Sequence, residues 1–202
     1  MNFMQHPEIY LVRHGETEWN VSKHYQGQLD SRLTANGESQ AVAVGKHLAD
    51  VFTKQGDMPF YSSPLGRCRQ TAAIICEKTT FKSDRIIHDD RLMEVHCGHW
   101  QTFTRQEVSK KWPEEWARRR ANFWNYAIPG GGENGNMLQA RAKDWLKSLP
   151  ETSPILVVAH GMIGMMIRGL CRGLAPNETL SLEAPQGVIV HLKDGIETLL
   201  KC

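Results

Sequence analysis

Two apolar runs in this chain end in the same way. Ile9-Tyr10-Leu11-Val12 leads into Arg13-His14-Gly15-Glu16, and Ile155-Leu156-Val157-Val158-Ala159 leads into His160-Gly161. Short apolar runs bounded by glycine read as buried strands. In open α/β sheets, ligand sites gather outside the carboxyl ends of the parallel strands. An imidazole at such a strand end can serve as a nucleophile rather than as packing. A repeated pattern therefore predicts two imidazoles facing one pocket, with a cation, Arg13, beside the first.

The intervening sequence alternates strand-like and helix-like segments, which predicts an α/β fold with a mostly parallel sheet. A first strand spans about Glu8 to Arg13. Ala41, Val44, Leu48 and Val51 follow the three-four spacing of one helix face, so a helix is predicted over about Asn36 to Thr53. Met58 to Tyr61 and Ile86 to His88 read as short strands. A helix starting near Pro64 has Ser63 as its expected N-cap. Between Trp100 and Pro129, tryptophans and charges dominate, and two helices are predicted, about Thr104 to Lys111 and Pro113 to Trp124. Pro129-Gly130-Gly131-Gly132 forces a loop. A helix over about Asn134 to Ser148 is expected to carry Met137, Ala140 and Leu149 on or near one side. A further helix follows Gly161, and Gly187 to Lys193 with Ile196 to Leu200 reads as a hairpin around Asp194-Gly195. With no repeat and no low-complexity linker, the reading is one domain over residues 1–202 with a helical cap inserted at about 100–135.

Composition narrows the class. A length of 202 residues suffices for a sizeable core, and a net charge of +2 is too small to argue for nucleic acid. The dense basic run Arg118-Arg119-Arg120 reads as a solvated helix face. Met1 to Pro7 lack a signal-peptide pattern, and Met162 to Leu170 is too short to span a bilayer, so no membrane role and a cytoplasmic location are expected. The odd number of cysteines, without Cys-x-x-Cys, argues for reduced thiols, with Cys68 and Cys76 buried on a helix. His96, Cys97 and His99 match no tetrahedral zinc spacing, so no metal is expected there.

Leu11-Val12-Arg13-His14-Gly15-Glu16-Thr17-Glu18-Trp19-Asn20 resembles the signature of the histidine phosphatase, or phosphoglycerate-mutase-like, superfamily. Gln26-Gly27, Asp30, Leu33-Thr34, Gly37 and Gln40-Ala41 are similar to its continuation. Ser62-Ser63-Pro64-Leu65-Gly66-Arg67 through Ala72, then Leu92-Met93-Glu94 with Gly98 and Trp100, then Val158-Ala159-His160-Gly161, resemble the further blocks in family order. The resemblance implies a three-layer α/β/α sandwich and phosphoryl transfer from a small phosphorylated metabolite, without metal or organic cofactor.

Such a site must neutralise the phosphoryl oxygens, supply an in-line nucleophile and protonate the leaving oxygen. The resemblance makes His14 the residue that becomes phosphohistidine, with Gly15 allowing close backbone approach. Arg13, Arg67 and His160 are the implied oxygen clamps, guanidinium being suited to bidentate contact. Arg67 lies near a helix start, where backbone N–H groups also favour anions. Arg69, facing elsewhere, reads as a surface residue. Glu94 is the implied general acid, since partial burial lets a carboxyl hold a proton. Asn20, Gln26 and Gly161 complete the implied phosphate site. Glu16 is expected to point away into an ion pair, and Glu133 to be structural.

His24, Arg32 and Gln101-Thr102 depart from the family pattern near the pocket mouth and bear on substrate identity. A phosphatase is expected. The rivals are mutase-type phosphoryl transfer, disfavoured by a chain shorter than cofactor-dependent mutases, and a non-catalytic phosphate-binding module, disfavoured because every implied catalytic residue is present. A homodimer is compatible with this reading.

Overall fold

Alternation along β1 (Ile9–Arg13) sets the layers of the computed structural model, which describes residues 4–55, 58–150 and 154–202. Ile9 and Leu11 join one core cluster, and Tyr10 and Val12 join the other. β4 (Ile155–Ala159) divides likewise: Ile155, Val157 and Ala159 go to the first cluster, Leu156 and Val158 to the second. Successive strand side chains point to opposite faces, so an unbroken apolar run means a sheet covered on both sides. Each large side chain buried in this way contributes about 1.5–3 kcal/mol relative to exposure.

The sheet has six strands in the order β3-β2-β4-β1-β5-β6, with β2 (Phe60–Ser62), β3 (Ile87–His88), β5 (Val188–Lys193) and β6 (Ile196–Lys201). β1, β2, β3 and β4 pair in parallel; β5 runs antiparallel to β1, and β6 antiparallel to β5. The second cluster lies under α2 (Ala35–Gln55) and α3 (Gly66–Lys78). The first lies under α6 (Gly135–Lys147) and α7 (Gly161–Arg172). Short helices α1 (Glu18–Val21) and α8 (Pro176–Leu180) flank the strand ends, and α4 (Arg105–Lys111) and α5 (Pro113–Ala121) fill the tryptophan-rich segment. This is the expected three-layer α/β architecture.

Several local expectations change. Ser63 is not the cap of α3: the helix begins after Leu65, and the Asp30 carboxylate, from a distant loop, accepts from Gly66 N at 2.6 Å and Arg67 N at 3.3 Å. Thr104 and Asn134 are N-caps rather than first helical residues, Thr104 within a capping box with Glu107. The buried side of α6 is Leu138, Ala142, Trp145 and Leu146. Met137 is 51% exposed and Ala140 is also exposed, because the helix is rotated to place both tryptophan and leucine inward. α5 stops at Ala121, short of Trp124. Arg118 and Arg120 are exposed, but Arg119 is buried. Its Nη1 donates to the carbonyls of Phe123, Tyr126 and Glu133 and its guanidinium lies 4.2 Å from the Phe123 ring centre. An arginine in a basic run is therefore the structural peg of the loop after α5. Gly130 and Gly131 have φ of 82° and 83°, which only glycine adopts without strain, and Gly132 N donates to Ile128 O at 2.9 Å. The glycines build a tight turn within the expected loop. Cys68 and Cys76 are buried, as expected.

Candidate active site

Register brings the two histidines together. In the parallel pairing of β1 with β4, Arg13 is opposite Ala159, and His14 N donates to Ala159 O at 3.0 Å. Each histidine is thus the first residue past the same rung. Their ring centres lie 5.1 Å apart with a 60° tilt, and both side chains are buried. β2 adds Ser63 one step beyond the Ser62–Val158 rung.

His14 Nδ1 lies 2.8 Å from the carbonyl oxygen of Gly15. A carbonyl only accepts, so Nδ1 carries the hydrogen and Nε2 keeps a lone pair. Burial, then the charges of Arg67 and Arg13, hold the imidazole pKa well below its ordinary value, so the ring is neutral at neutral pH. Gly15 approaches protein backbone rather than leaving room for a ligand, since a Cβ there would collide with the carbonyl oxygen of Gly37. Gly15 N donates to Thr71 Oγ1 at 3.1 Å, fastening the loop to α3.

His160 is held differently. Arg67 Nε donates to its Nδ1 at 3.0 Å, so Nε2 bears the hydrogen and donates to Ser63 Oγ at 2.8 Å. Burial and the charge of Arg67 keep this imidazole neutral too. The Cys68 Sγ lies 3.3 Å from Nε2, and burial raises its pKa, so it remains a thiol.

Arg67 departs from the bidentate oxygen clamp expected of it. Nη1 donates to Leu29 O at 2.6 Å and to Asp30 Oδ1 at 2.9 Å, and Nη2 donates to Gly27 O at 2.8 Å. With Nε on His160, the guanidinium is a buried positioner that fixes the second histidine and adds positive charge. Arg13 reaches across the strand end to Ala184 O at 2.6 Å, and its buried Nε has no partner among the described residues. Burial, outweighing the nearby Glu94, lowers its pKa. Arg69 is exposed.

Glu94 sits against the start of α7. Oε1 accepts from Val95 N at 2.9 Å and Ile163 N at 3.2 Å, and Oε2 from Met162 N at 3.0 Å. A helix N-terminus presents such free N–H groups. A Cβ on Gly161 would lie 3.6 Å from both Arg13 Nε and Glu94 Oε2, so Gly161 marks where the two groups converge. Glu133 is structural in its contacts: its carboxylate bonds Arg141 (2.7 Å) and His96 N (2.9 Å), while Arg141 donates to Arg91 O, Met93 O and Glu94 O.

Asn20 and Gln26 meet at the buried Thr17. Asn20 Oδ1 accepts from Thr17 N and from Gln186 Nε2, and Gln26 Nε2 donates to Thr17 Oγ1 at 2.8 Å. Gln186 Nε2 also donates to His14 O at 3.0 Å. Glu16 accepts from Thr34 Oγ1 at 2.8 Å where an ion pair was expected. Sequence reasoning missed Gln186, Arg141 and the roles of Asp30, Ser63 and Thr71. All act across long chain separations, for which no local pattern exists.

A pocket of about 20 Å³ is lined by Arg13, His160 and Gly161, and two larger cavities lie nearby. One, of about 410 Å³, is lined by Trp19, Asn20, Lys23, His24, Tyr25 and Arg105. The other, of about 600 Å³, lies beside the α4–α5 segment, is lined also by Met162 of α7 and Leu180 of α8, and shares Tyr25 and Arg105 with the first. His24, one of the departures from the family pattern, thus does lie at a cavity, and Gln101 closes the loop beneath it by accepting from Gln28 N at 2.8 Å. Among the described residues, no group of three or more His, Cys, Asp or Glu is placed to hold a metal, and no helix is long and apolar enough to cross a membrane.

Comparison with known proteins places this geometry in context. The profile of the histidine phosphatase superfamily (branch 1) matches residues 9–195. A Serratia proteamaculans protein named "Probable phosphoglycerate mutase GpmB" is 39% identical over 164 residues, covering 79% of this chain and 73% of that protein. The structure of Bacillus stearothermophilus YhfR is similar with a TM-score of 0.79 and 28% identity, covering 96% of this chain and 95% of that one. A mycobacterial glucosyl-3-phosphoglycerate phosphatase in complex with VO3 is similar with a TM-score of 0.74 and 28% identity, covering 92% of each chain.

Proposed function

Because the chain belongs to the histidine phosphatase superfamily, we propose that it is a phosphatase that hydrolyses a small-molecule phosphomonoester through a phosphohistidine on His14. The observation that carries this reading is the tautomer of His14: a neutral, buried ring whose Nδ1–H is anchored on Gly15 O, with the Nε2 lone pair left for attack. Nε2 attacks phosphorus, the bond from phosphorus to the ester oxygen breaks, and Glu94 gives that oxygen a proton. Water then attacks the phosphohistidine, the Glu94 carboxylate takes the water's proton, and inorganic phosphate leaves with His14 restored. Arg13, Asn20, Gln26 and the backbone at Gly161 bind the phosphoryl oxygens, and His160 joins them by turning its Nε2–H from Ser63 Oγ to the phosphoryl group. Arg67 holds His160 and supplies field. The α4–α5 segment acts as the cap over the leaving group. The chemistry uses these side chains alone, without metal or organic cofactor.

The names of the relatives favour a second reading, in which the phosphohistidine returns its group to another hydroxyl of a phosphoglycerate. One experiment tests both. Rapid quench into alkaline denaturant during turnover is expected to trap an acid-labile phosphoryl group on the peptide containing His14. Parallel assays then compare phosphate release with interconversion of the two phosphoglycerate isomers. Turnover without any adduct on His14 sinks the mechanism, and interconversion faster than phosphate release favours the mutase reading.

A further inference from the structure

One side-chain amide joins the backbone of His14 to Asn20. Gln186 lies between α8 and β5, and its Nε2 donates to His14 O at 3.0 Å and to Asn20 Oδ1 at 3.1 Å. A carbonyl oxygen takes only a donor, so the two acceptors fix which end of the Gln186 amide faces them. Both of its N–H groups are used. The same logic fixes Asn20. Thr17 N, which can only donate, meets Asn20 Oδ1 at 3.1 Å, so two donors turn the oxygen end of that amide to the protein. The other end, Nδ2, has no partner among the described residues, and Asn20 lines the 410 Å³ cavity. A charged phosphoryl oxygen only accepts, so Nδ2 is the end of Asn20 that can bind it.

The segment that carries Gln186 has anchors of its own. Arg13 donates to Ala184 O at 2.6 Å, and the buried Arg168, paired with Glu197 at 2.6 Å, donates to Glu183 O. Gly187 follows with φ of 70°, and a Cβ there would lie 3.2 Å from Gln40 Cγ, while Gln40 Oε1 accepts from Glu16 N at 2.9 Å. These contacts hold residues 183–187 against the loop after β1, and the Gln186 amide is left to set Asn20.

We propose that Gln186 is a positioning residue for phosphoryl transfer: its NH2 bridges His14 O and Asn20 Oδ1, keeps Asn20 Nδ2 turned to the phosphoryl oxygens, and ties that ligand to the strand end that carries the nucleophile. The proposal rests on the reading of His14 as nucleophile and Asn20 as phosphate ligand. Without the bridge, Asn20 Oδ1 keeps only Thr17 N, and the free end of the amide is no longer aimed. A hydrogen bond to a charged oxygen is among the stronger ones, so losing its aim has a measurable effect.

The test is a double-mutant cycle between Gln186→Met, which keeps the chain length and removes the donor, and Asn20→Ala. Two readouts are used: kcat/KM for p-nitrophenyl phosphate, and calorimetric affinity for orthovanadate, which stands in for the phosphoryl group. Gln186→Met is expected to lower both about tenfold in the wild-type background and less than about threefold in the Asn20→Ala background, the residue of the effect coming from the bond to His14 O. Should Gln186→Met fold poorly, Gln186→Glu, nearly the same in shape but with a carboxylate that cannot donate, should show the same dependence on background. Equal losses in the two backgrounds overturn the proposal, because Gln186 would then be a structural pin that acts independently of Asn20. Vanadate affinity unchanged by Gln186→Met overturns it as well. If the wild type cleaves no ester, the phosphatase reading fails. The vanadate affinities then decide the bridge by themselves: coupled losses uphold it, and additive losses overturn it.

Discussion

The ends of β1 and β4 are nearly the same in sequence and opposite in hydrogen bonding. Both are apolar runs that finish in His-Gly, and both histidines follow the same rung of the sheet. Among the described residues, His14 has one ring nitrogen engaged, on the next carbonyl along its own chain. His160 has both engaged, by Arg67 from α3 and by Ser63 after β2. The difference teaches that a local bond to backbone leaves an imidazole free to react, whereas two tertiary side-chain bonds convert it into a fixed hydrogen-bonding element. Position in the sheet, not the motif, creates the distinction: β4 lies next to β2, whose end supplies Ser63 to His160, while β1 lies between β4 and β5.

Substitution of the free histidine should have the largest effect. His14→Ala is expected to lower kcat by about 10⁴-fold or more, as loss of a nucleophile does, with the thermal unfolding midpoint close to that of the wild type. Phosphate release near the normal rate would show that His14 and His160 do not divide the work as argued. Glu94→Gln should follow, with a loss of about 10²–10⁴-fold for alkyl esters, because the amide keeps the shape but cannot supply the proton. The loss should shrink for esters of acidic phenols, whose leaving oxygen needs no proton, and a loss independent of leaving-group acidity would remove Glu94 from that role.

His160→Ala should cost about 10²–10³-fold, the scale of one preorganised donor, yet still permit the adduct on His14 to be trapped. If the adduct instead disappeared while His14→Ala retained turnover, the assignment of the two rings would have to be reversed. A smaller effect is expected from Asp30→Asn. Asp30 caps α3 and pairs with Arg67, so loosening it should lower kcat by about threefold to tenfold through His160, with stability reduced by about 1 kcal/mol for the weakened cap. Unchanged kcat with reduced stability would confine Asp30 to capping.

The subtlest consequence is in the pH dependence of stability. Both imidazoles have folded pKa values well below the ordinary one because burial penalises their charged forms. Below pH ~6.5 the unfolded chain takes up protons that the folded chain does not, so folding should weaken as pH falls, by ~1.4 kcal/mol per pH unit for each ring, and level off above it. Urea titrations from pH 5 to 8 measure this slope. His160→Gln should reduce it by about half.

Much of the fold was legible because strand and helix periods are local. The split of Ile9 and Leu11 from Tyr10 and Val12 follows from a period of two, and Ala41, Val44 and Leu48 lie on the buried face their spacing predicts. Boundaries and rotations were less legible. Thr104 and Asn134 became caps, and Met137 lost its inward place to Leu138, because the angle of α6 is set by what Trp145 packs against: Tyr61, edge-on at 5.9 Å, on a distant strand. Arg119 was misjudged as solvated because the carbonyls it satisfies lie in a loop whose shape the basic run does not encode.

The sequence alone determined that two histidines would end two buried strands, that an arginine would accompany the first, and that Glu94 would stand in a partly apolar stretch. Those are consequences of residue order and side-chain period. Only the tertiary structure decided which histidine keeps a free lone pair, that Arg67 grips His160 and Asp30 rather than standing open, and that Glu94 is fixed by the first turn of α7. It also decided that tryptophans on α5 and beside it face a cavity rather than solvent. Each of these depends on hydrogen bonds or contacts between segments tens of residues apart, and their geometry follows from sheet register and helix packing, which no window of sequence contains.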